Sequence, residues 1–160
     1  MIQLRFLILF LLILIETAHA KELKIISKSF EGNEQKGIST FFGDVQIIMG
    51  IDEMNASKVI IYTDKDRSPY KYIAEGKVSF FISTENNSTY QGSAERAVFL
   101  PNEGEYQFFK NVHLRQLNDR KQIDGDEVIV NTKDGTATAK GGDKKPVIMI
   151  FNIKDKKGSK

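Results

Sequence analysis

Apolar residues alternate with polar ones over short runs of this chain, and no stretch of helical length shows the roughly 3.6-residue period of an amphipathic helix. The runs are rich in valine, isoleucine and phenylalanine, which favour strands. Turn-forming clusters such as 64–69, 85–88 and 101–104 separate them. Many short strands at intervals of roughly ten residues predict an all-β sandwich, jelly roll or barrel. The predicted strands contain residues 45–49, 59–62, 78–82, 98–100, 108–109, 112–114, 128–130 and 147–151.

The chain also repeats itself about every 33 residues. Each period contains two strands and two turns, so a hairpin-like unit occurs about three times, with a partial copy near 139–141. Such a unit cannot bury its own apolar face and must stack on its neighbours. The Gly or Asn before the first valine suits a β-bulge or a positive φ angle, although Lys110 stands where the third unit would have glycine. The two motifs occur at 42–47 (FGDVQI), 75–80 (EGKVSF) and 109–114 (FKNVHL), and at 56–61 (ASKVII), 94–99 (AERAVF) and 125–130 (GDEVIV).

The first twenty residues have the pattern of an export signal. Arg5 precedes an apolar run at 6–15, and Ala18-His19-Ala20 provides the small-x-small pattern that signal peptidase requires. Glu16 interrupts the run well before the roughly twenty apolar residues that a membrane-spanning helix needs. We therefore predict a signal peptide at 1–20 cleaved after Ala20, with an uncleaved anchor as the alternative. One domain at 21–153 and a basic tail at 154–160 remain.

The composition argues against catalysis and metal binding. The chain has no cysteine, and His113, the one histidine beyond the leader, falls on a polar strand position that predicts a surface side chain. We predict no catalytic residue, no metal site and no cofactor. A net charge of +2 at pH 7, together with export, also argues against nucleic acid as a partner.

Some polar surface features allow two interpretations. Lys144, Lys145 and the tail are candidates for contact with lipid phosphates, or they are simply solvated. Asn55 and Asn87 fit the N-x-S/T acceptor pattern for glycosylation, which also arises often by chance. Asn87, in an expected exposed turn, is the better candidate of the two.

The two alternating motifs, Gly-x-Val and Ala-x-Lys/Arg-x-Val, resemble the OstA-like domain of the lipopolysaccharide transport proteins over roughly residues 23–151. The resemblance implies a single twisted β-jelly roll, open at both ends, in the periplasm. It also implies an apolar interior that takes the acyl chains of lipid A. Members of this family stack end to end into a bridge between the two membranes, which implies lipopolysaccharide transport proteins of the inner and outer membranes as partners.

Successive side chains of a strand point to opposite faces, so the alternate positions that are consistently apolar are the ones expected to point inward. The intervening positions are occupied by residues such as Gln46, Ser79 and Glu127, whose side chains we expect to face solvent. Inward apolar residues form a core in every β-sandwich, so only the resemblance makes them candidates for lipid contact, with Phe80 and Phe99 the ones we expect to touch acyl chains. The candidate lipid-binding residues are Leu23, Ile25, Val45, Ile47, Val59, Ile61, Val78, Phe80, Ile82, Phe99, Phe108, Val112, Leu114, Val128 and Val130.

The first and last predicted strands, 23–30 and 147–153, form the natural edges of the sheet. Unpaired edges invite strand addition by another chain. Because the two edges differ, self-association would be head to tail and could grow into a filament. The alternatives are a membrane-anchored member of the same transport system and a β-sandwich module that assembles other proteins.

Overall fold

The chain folds into one antiparallel sheet of ten strands in a computed structural model that describes residues 22–84, 87–143 and 145–153. The six long strands β3 to β8 pair in chain order, in agreement with hairpin-like units that stack on their neighbours. β1 and β2 both pair with β3, whereas β9 and β10 both pair with β8. The strands are β1 (Leu23–Ile26), β2 (Ser29–Asn33), β3 (Ile38–Met49), β4 (Asp52–Thr63), β5 (Pro69–Ser83), β6 (Thr89–Leu100), β7 (Glu105–Gln116), β8 (Lys121–Asn131), β9 (Thr136–Lys140) and β10 (Ile148–Ile150).

β3, β5 and β7 each carry a β-bulge near the middle. The pairing register shifts between residues 42 and 45, 75 and 78, and 109 and 112. Gly43, Gly76 and Lys110 begin the bulges with φ angles of 77°, 79° and 62°, in the left-handed region that glycine adopts at little cost. The predicted bulge positions are therefore confirmed. A bulge bends and twists its strand, and these three bulges, on alternate strands, lie in one row across the sheet, which we call the bulge line.

The bulge line also interrupts both edges of the sheet. The predicted single strand 23–30 is wrong, because the structure divides it into β1 and β2 at residues 27–28. The backbone nitrogen of Lys28 lies 3.0 Å from the carbonyl oxygen of Phe42 and 3.1 Å from that of Gly43, so the edge breaks where β3 bulges. On the other edge, β9 and β10 pair with β8 on opposite sides of the same line. The predicted last strand 147–153 is shortened to Ile148–Ile150.

One face of the sheet, which we call the inner face, carries the hydrophobic core. The bulge line alters its spacing, so that Ala56 and Val59 of β4 both point inward although three positions apart, and so do Ala94 and Ala97 of β6. Small residues beside the bulge line leave room for the folded walls to approach. The buried core cluster contains Val45, Ala56, Val59, Ile61, Ala74, Val78, Phe80, Ile82, Ala94, Ala97, Phe108, Val112, Leu114, Val128 and Val130.

The folded sheet is a roll that does not close. β1 and β2 form no ladder with β9 or β10, and no Cα atom of the first pair lies within 8 Å of the second pair. The seam between the first and last strands is therefore open, unlike that of a closed barrel, which has no edges. The outcome agrees with the predicted all-β jelly roll.

The outer face carries a cross-strand row of charged and aromatic residues beside the bulge line. Glu75 lies between two cations, with its carboxylate 3.8 Å from Nζ of Lys58 and 3.7 Å from Nε of Arg96. Arg96 also lies 5.4 Å from the ring centroid of Phe109. Exposed ion pairs contribute roughly 0–1 kcal/mol each, so this row favours the correct register more than it adds stability. The row consists of Phe42, Lys58, Glu75, Arg96, Phe109, Glu127 and Lys140.

Some predictions fall outside the described residues. The leader at 1–20, the tail at 154–160 and Lys144 are among these. Within the described ranges, no helix has the length and apolar character needed to cross a membrane.

We expect Lys110→Gly to raise the free energy of unfolding by about 1 kcal/mol, because it relieves the left-handed strain of a residue with a Cβ. The reverse type of change at the equivalent position, Gly76→Ala, should lower it by about 1–2 kcal/mol. A Cβ there would also lie 2.8 Å from Oγ of Ser57. Urea denaturation measures both effects, with Lys24→Gly on β1 as the control for removing a lysine. A lower stability for Lys110→Gly would contradict this account of the bulge.

Candidate apolar ligand cavity

The inner face encloses a mainly apolar cavity of about 260 Å³. β3 and β4 contribute mostly from one side of the bulge line, whereas β5, β6 and β7 contribute mostly from the other side. The fold along the bulge line thus brings together parts of the sheet that would be far apart if it were flat. The cavity is lined by Leu23, Ile47, Met49, Asp52, Glu53, Met54, Val59, Pro69, Tyr72, Ala74, Ile82, Ala97, Phe99, Pro101 and Tyr106.

Three aromatic side chains on adjacent strands form one wall of the cavity. Tyr72, Phe99 and Tyr106 pair across β5, β6 and β7. The ring centroids of Phe99 and Tyr106 are 4.2 Å apart with 13° between the planes, and those of Tyr72 and Phe99 are 5.8 Å apart. Stacked aromatic pairs add roughly 0.5–1.5 kcal/mol beyond burial. The three rings therefore form a continuous, mainly apolar wall.

A second, smaller space of about 10 Å³ adjoins the cavity and shares Ile82 and Tyr106 with it. Phe80 and Phe108 stack beside this space with centroids 4.2 Å apart. Both side chains are almost completely buried, at 3% and 1% exposed. The inner face thus continues past the cavity as packed core.

The polar groups of the cavity have distinct environments. Oδ1 of Asp52 accepts a hydrogen bond of 2.7 Å from the backbone nitrogen of Ser83. Glu53 accepts side-chain hydrogen bonds from Asn55 and Gln46, both 2.9 Å long, which hold the pKa of its carboxyl below the usual value of 4.5. Glu53 is thus held at the rim by groups on the outer face.

Burial raises the pKa of the tyrosine hydroxyls in the cavity wall. For Tyr106 burial acts first, and the charge of Asp52 and the neighbouring Tyr72 raise its pKa further. Burial alone raises the pKa of Tyr72. Both hydroxyls are therefore protonated at neutral pH and can donate hydrogen bonds.

The structure distributes the fifteen sequence-predicted candidates among three environments. Leu23, Ile47, Val59, Ile82 and Phe99 line the cavity. Four others, Phe80, Phe108, Leu114 and Val130, surround the smaller space. The remaining candidates pack in or against the core: Ile25, Val45, Ile61, Val78, Val112 and Val128.

Sequence reasoning missed several cavity residues. Met54, Tyr72 and Tyr106 were not among the candidates, although each lies two positions from an inward neighbour on its strand. Extending the alternation of inward and outward positions toward the strand ends would have identified these three residues. Asp52 carried no such signal, because an acidic residue beside a turn is expected in solvent.

The other singled-out polar residues lie away from the cavity. His113 is on the outer face, 64% exposed, with Nδ1 2.8 Å from Oδ1 of Asp124, so the predicted surface position is confirmed. Asn87 is exposed in a turn, whereas Asn55 is half-buried and bonded to Glu53. Across the described ranges, no group of three or more His, Asp or Glu residues is placed to hold a metal ion.

An all-β roll with an open seam and a mainly apolar cavity is an architecture that can hold an apolar ligand. Comparison with known proteins narrows this class. A family model described as "LptA/(LptD N-terminal domain) LPS transport protein" matches residues 24–136, so the chain belongs to this family. The resemblance inferred from the repeated motifs is confirmed.

The fold has a solved counterpart. The crystal structure of LptH, described as the LptA homologous periplasmic component of the conserved lipopolysaccharide transport device from Pseudomonas aeruginosa, matches with a TM-score of 0.73. The match covers 83% of this chain and 96% of that chain at 11% identity. No curated protein matches the chain. The predicted jelly roll, open at both ends, is confirmed at the level of the fold.

We expect the stabilising contribution of Glu53 to disappear in acid. Its pKa is lowered in the folded protein, so its contribution is complete above the unfolded pKa, near 4.5, and is lost as pH falls through the folded value. The stability difference between the protein and Glu53→Gln should therefore shrink between about pH 6 and about pH 3. Urea denaturation at each pH measures it, with Glu31→Gln as the exposed control. A constant difference would contradict the proposed role of the two amide donors.

Proposed function

We propose that this chain is a periplasmic carrier that shields the acyl chains of lipopolysaccharide and forms part of a bridge from the inner to the outer membrane. The apolar cavity inside an open roll is the observation that carries this proposal. Family membership supports the substrate class. The predicted leader supports the compartment, with a retained anchor as the alternative.

The free energy of moving an acyl chain through water explains why a carrier needs such a cavity. Exposing each methylene costs about 0.8 kcal/mol, or roughly 10 kcal/mol for a chain of about twelve carbons. A lipid with several chains cannot cross an aqueous compartment quickly at that cost. An apolar wall of strands removes most of this free-energy cost without any chemical step.

The size of the cavity sets how a lipid with several chains would be held. Its volume of about 260 Å³ is just below the roughly 300–1,000 Å³ of typical small-molecule sites. A space of this size takes at most one acyl chain, so several chains require the roll to widen. The open seam between the first and last strands supports such widening, because no backbone ladder has to break.

The candidate residues differ in when they would meet a chain. Those that line the cavity, such as Phe99 and Ile47, would contact the first chain to enter. Those around the smaller space, such as Phe80 and Phe108, would contact a chain only after the core there had separated. This order follows from their burial.

The two edges of the sheet have no further strand paired to them among the described residues, which supports assembly into a bridge. The three residues of β10 are 49–50% exposed and Phe151 is 54% exposed. Because consecutive strand residues point to opposite faces, β10 buries neither face within the described chain. Strand addition would cover it, joining one copy to the next head to tail, or to transport proteins in either membrane.

We expect photo-crosslinking to place lipid on the inner face only. p-Benzoylphenylalanine at Phe99 should crosslink to lipopolysaccharide, because this ring lines the cavity. The same substitution at Phe81 is the matched control, since that side chain is also half-buried but faces outward on β5. Equal yields at the two positions would contradict the proposed lipid site.

We expect the protein to form larger oligomers as its concentration rises, measured by light scattering. Ile150→Lys should weaken this association, because a charge on an edge strand opposes strand addition. Gln91→Lys, on an exposed outer position of β6 away from the edges, is the control for added charge. A protein that stays monomeric at every concentration would contradict head-to-tail stacking.

A further inference from the structure

Two N-x-S/T acceptor patterns for N-linked glycosylation occupy very different places in the fold. One is residues 55–57 (NAS), inside β4, and the other is residues 87–89 (NST), at the turn between β5 and β6. Each has a glutamate two positions before its asparagine, a feature that some bacterial glycosylation systems require. The two patterns are thus matched in sequence, and their structural environments decide which one an enzyme can reach.

The backbone of the site at 55–57 is fixed inside the sheet. Asn55 pairs with Gln46 of β3 on one side and with Ser79 of β5 on the other. Its side-chain nitrogen, the atom that would receive a glycan, donates a hydrogen bond of 2.9 Å to Glu53. The next residue, Ala56, is buried in the core. An enzyme that binds this site would have to separate β4 from both neighbouring strands, so the folded protein does not present it.

The site at 87–89 lies at the end of a hairpin. Asn87 is exposed and precedes β6, with a φ angle of 56°. Thr89 is the first residue of β6, and its pair with Ser83 is the last one in the ladder between β5 and β6. An enzyme would have to open only this last pair, and strand ends open at the lowest cost. Exposed turns are also the usual location of acceptor asparagines in exported proteins.

We propose that Asn87 carries an N-linked glycan and that the fold excludes Asn55 from the same reaction. The donor would be an oligosaccharide joined to a lipid through pyrophosphate. Nδ2 of Asn87 would form a bond to C1 of the first sugar while the bond from C1 to the pyrophosphate oxygen breaks. The amide would lose one proton to a base of the enzyme, and the lipid pyrophosphate would leave. The proposal goes beyond lipid carriage and requires only the export that the leader at 1–20 predicts.

Asn118, in the turn between β7 and β8, holds the backbone of this site. Its Nδ2 donates a hydrogen bond of 3.0 Å to the carbonyl oxygen of Asn87, and its Oδ1 accepts one of 2.7 Å from the backbone nitrogen of Thr89. The backbone nitrogen of Leu117 donates a third bond, of 2.8 Å, to the carbonyl oxygen of Thr89. Because these bonds must open before an enzyme can bind the backbone, the turn at 117–120 would limit the rate of glycosylation.

A glycan on Asn87 would lie midway between the two edges of the sheet. β5 and β6 are the central pair in the strand order β1-β3-β4-β5-β6-β7-β8-β10, with three further strands on either side. The glycan would therefore be remote from β1 and from β10. Glycosylation at this turn is compatible with the proposed strand addition at the edges.

The intact mass of the protein purified from the cells that make it tests the proposal. We expect a mass above that of the unmodified chain by the mass of an oligosaccharide, with peptide mapping placing the addition on Asn87. Asn87→Gln should abolish the addition, and Asn55→Gln is the matched control that should retain it. An unshifted mass, or attachment at Asn55 or at the adjacent Asn86 instead, would overturn the proposal.

A purified bacterial oligosaccharyltransferase and its lipid-linked oligosaccharide test the role of Asn118. Asn118→Ala should raise the initial rate at Asn87 roughly tenfold, the factor that corresponds to about one net hydrogen bond. Asn102→Ala, in the turn between β6 and β7, is the matched control and should leave the rate unchanged. Urea denaturation verifies that both variants are folded. An unchanged rate in Asn118→Ala would overturn the role of this contact, and modification of Asn55 as fast as Asn87 in the folded protein would overturn its exclusion.

Discussion

The bulge line is the constraint on which the rest of this structure depends. Left-handed backbone at Gly43, Gly76 and Lys110 bends three alternate strands of the sheet at the same height, and the sheet folds there onto itself. Both edge strands break opposite the bend. The small inward residues Ala56 and Ala94 lie beside it and let the walls come together. Without this alignment, the same ten strands would form an extended twisted sheet with an exposed apolar face.

Folding one sheet onto itself, without closing it, has consequences for the proposed carrier. A closed barrel would remove the unpaired edges, but a ladder would then have to break before several acyl chains could enter. The open roll leaves the seam free to widen and leaves β10 exposed on both faces. The edge that would be an aggregation hazard in another protein is here the proposed surface for assembly.

Much of the inner face was predictable from the sequence, because strand parity is a local property. Ile47, Val59 and Phe99 were predicted to point inward, and they line the cavity. The alternation could not, however, distinguish inward residues that line the cavity from inward residues that pack in the core. Phe80 and Phe99 look equivalent in the sequence, yet Phe80 is 3% exposed and packed against Phe108, whereas Phe99 faces open space. That difference depends on which strands face each other across the fold, which no local pattern encodes.

The sequence by itself determined the all-β class, the repeated hairpin-like units, the bulge positions and the family. Each of these follows from local patterns: period-two alternation, turn residues, and a repeat of about 33 residues. The tertiary structure alone decided where the edges break, where the cavity lies and that Asp52 shares it with Tyr106. These features arise from contacts between residues distant in the chain, whose geometry is set only when the bulged strands bend together.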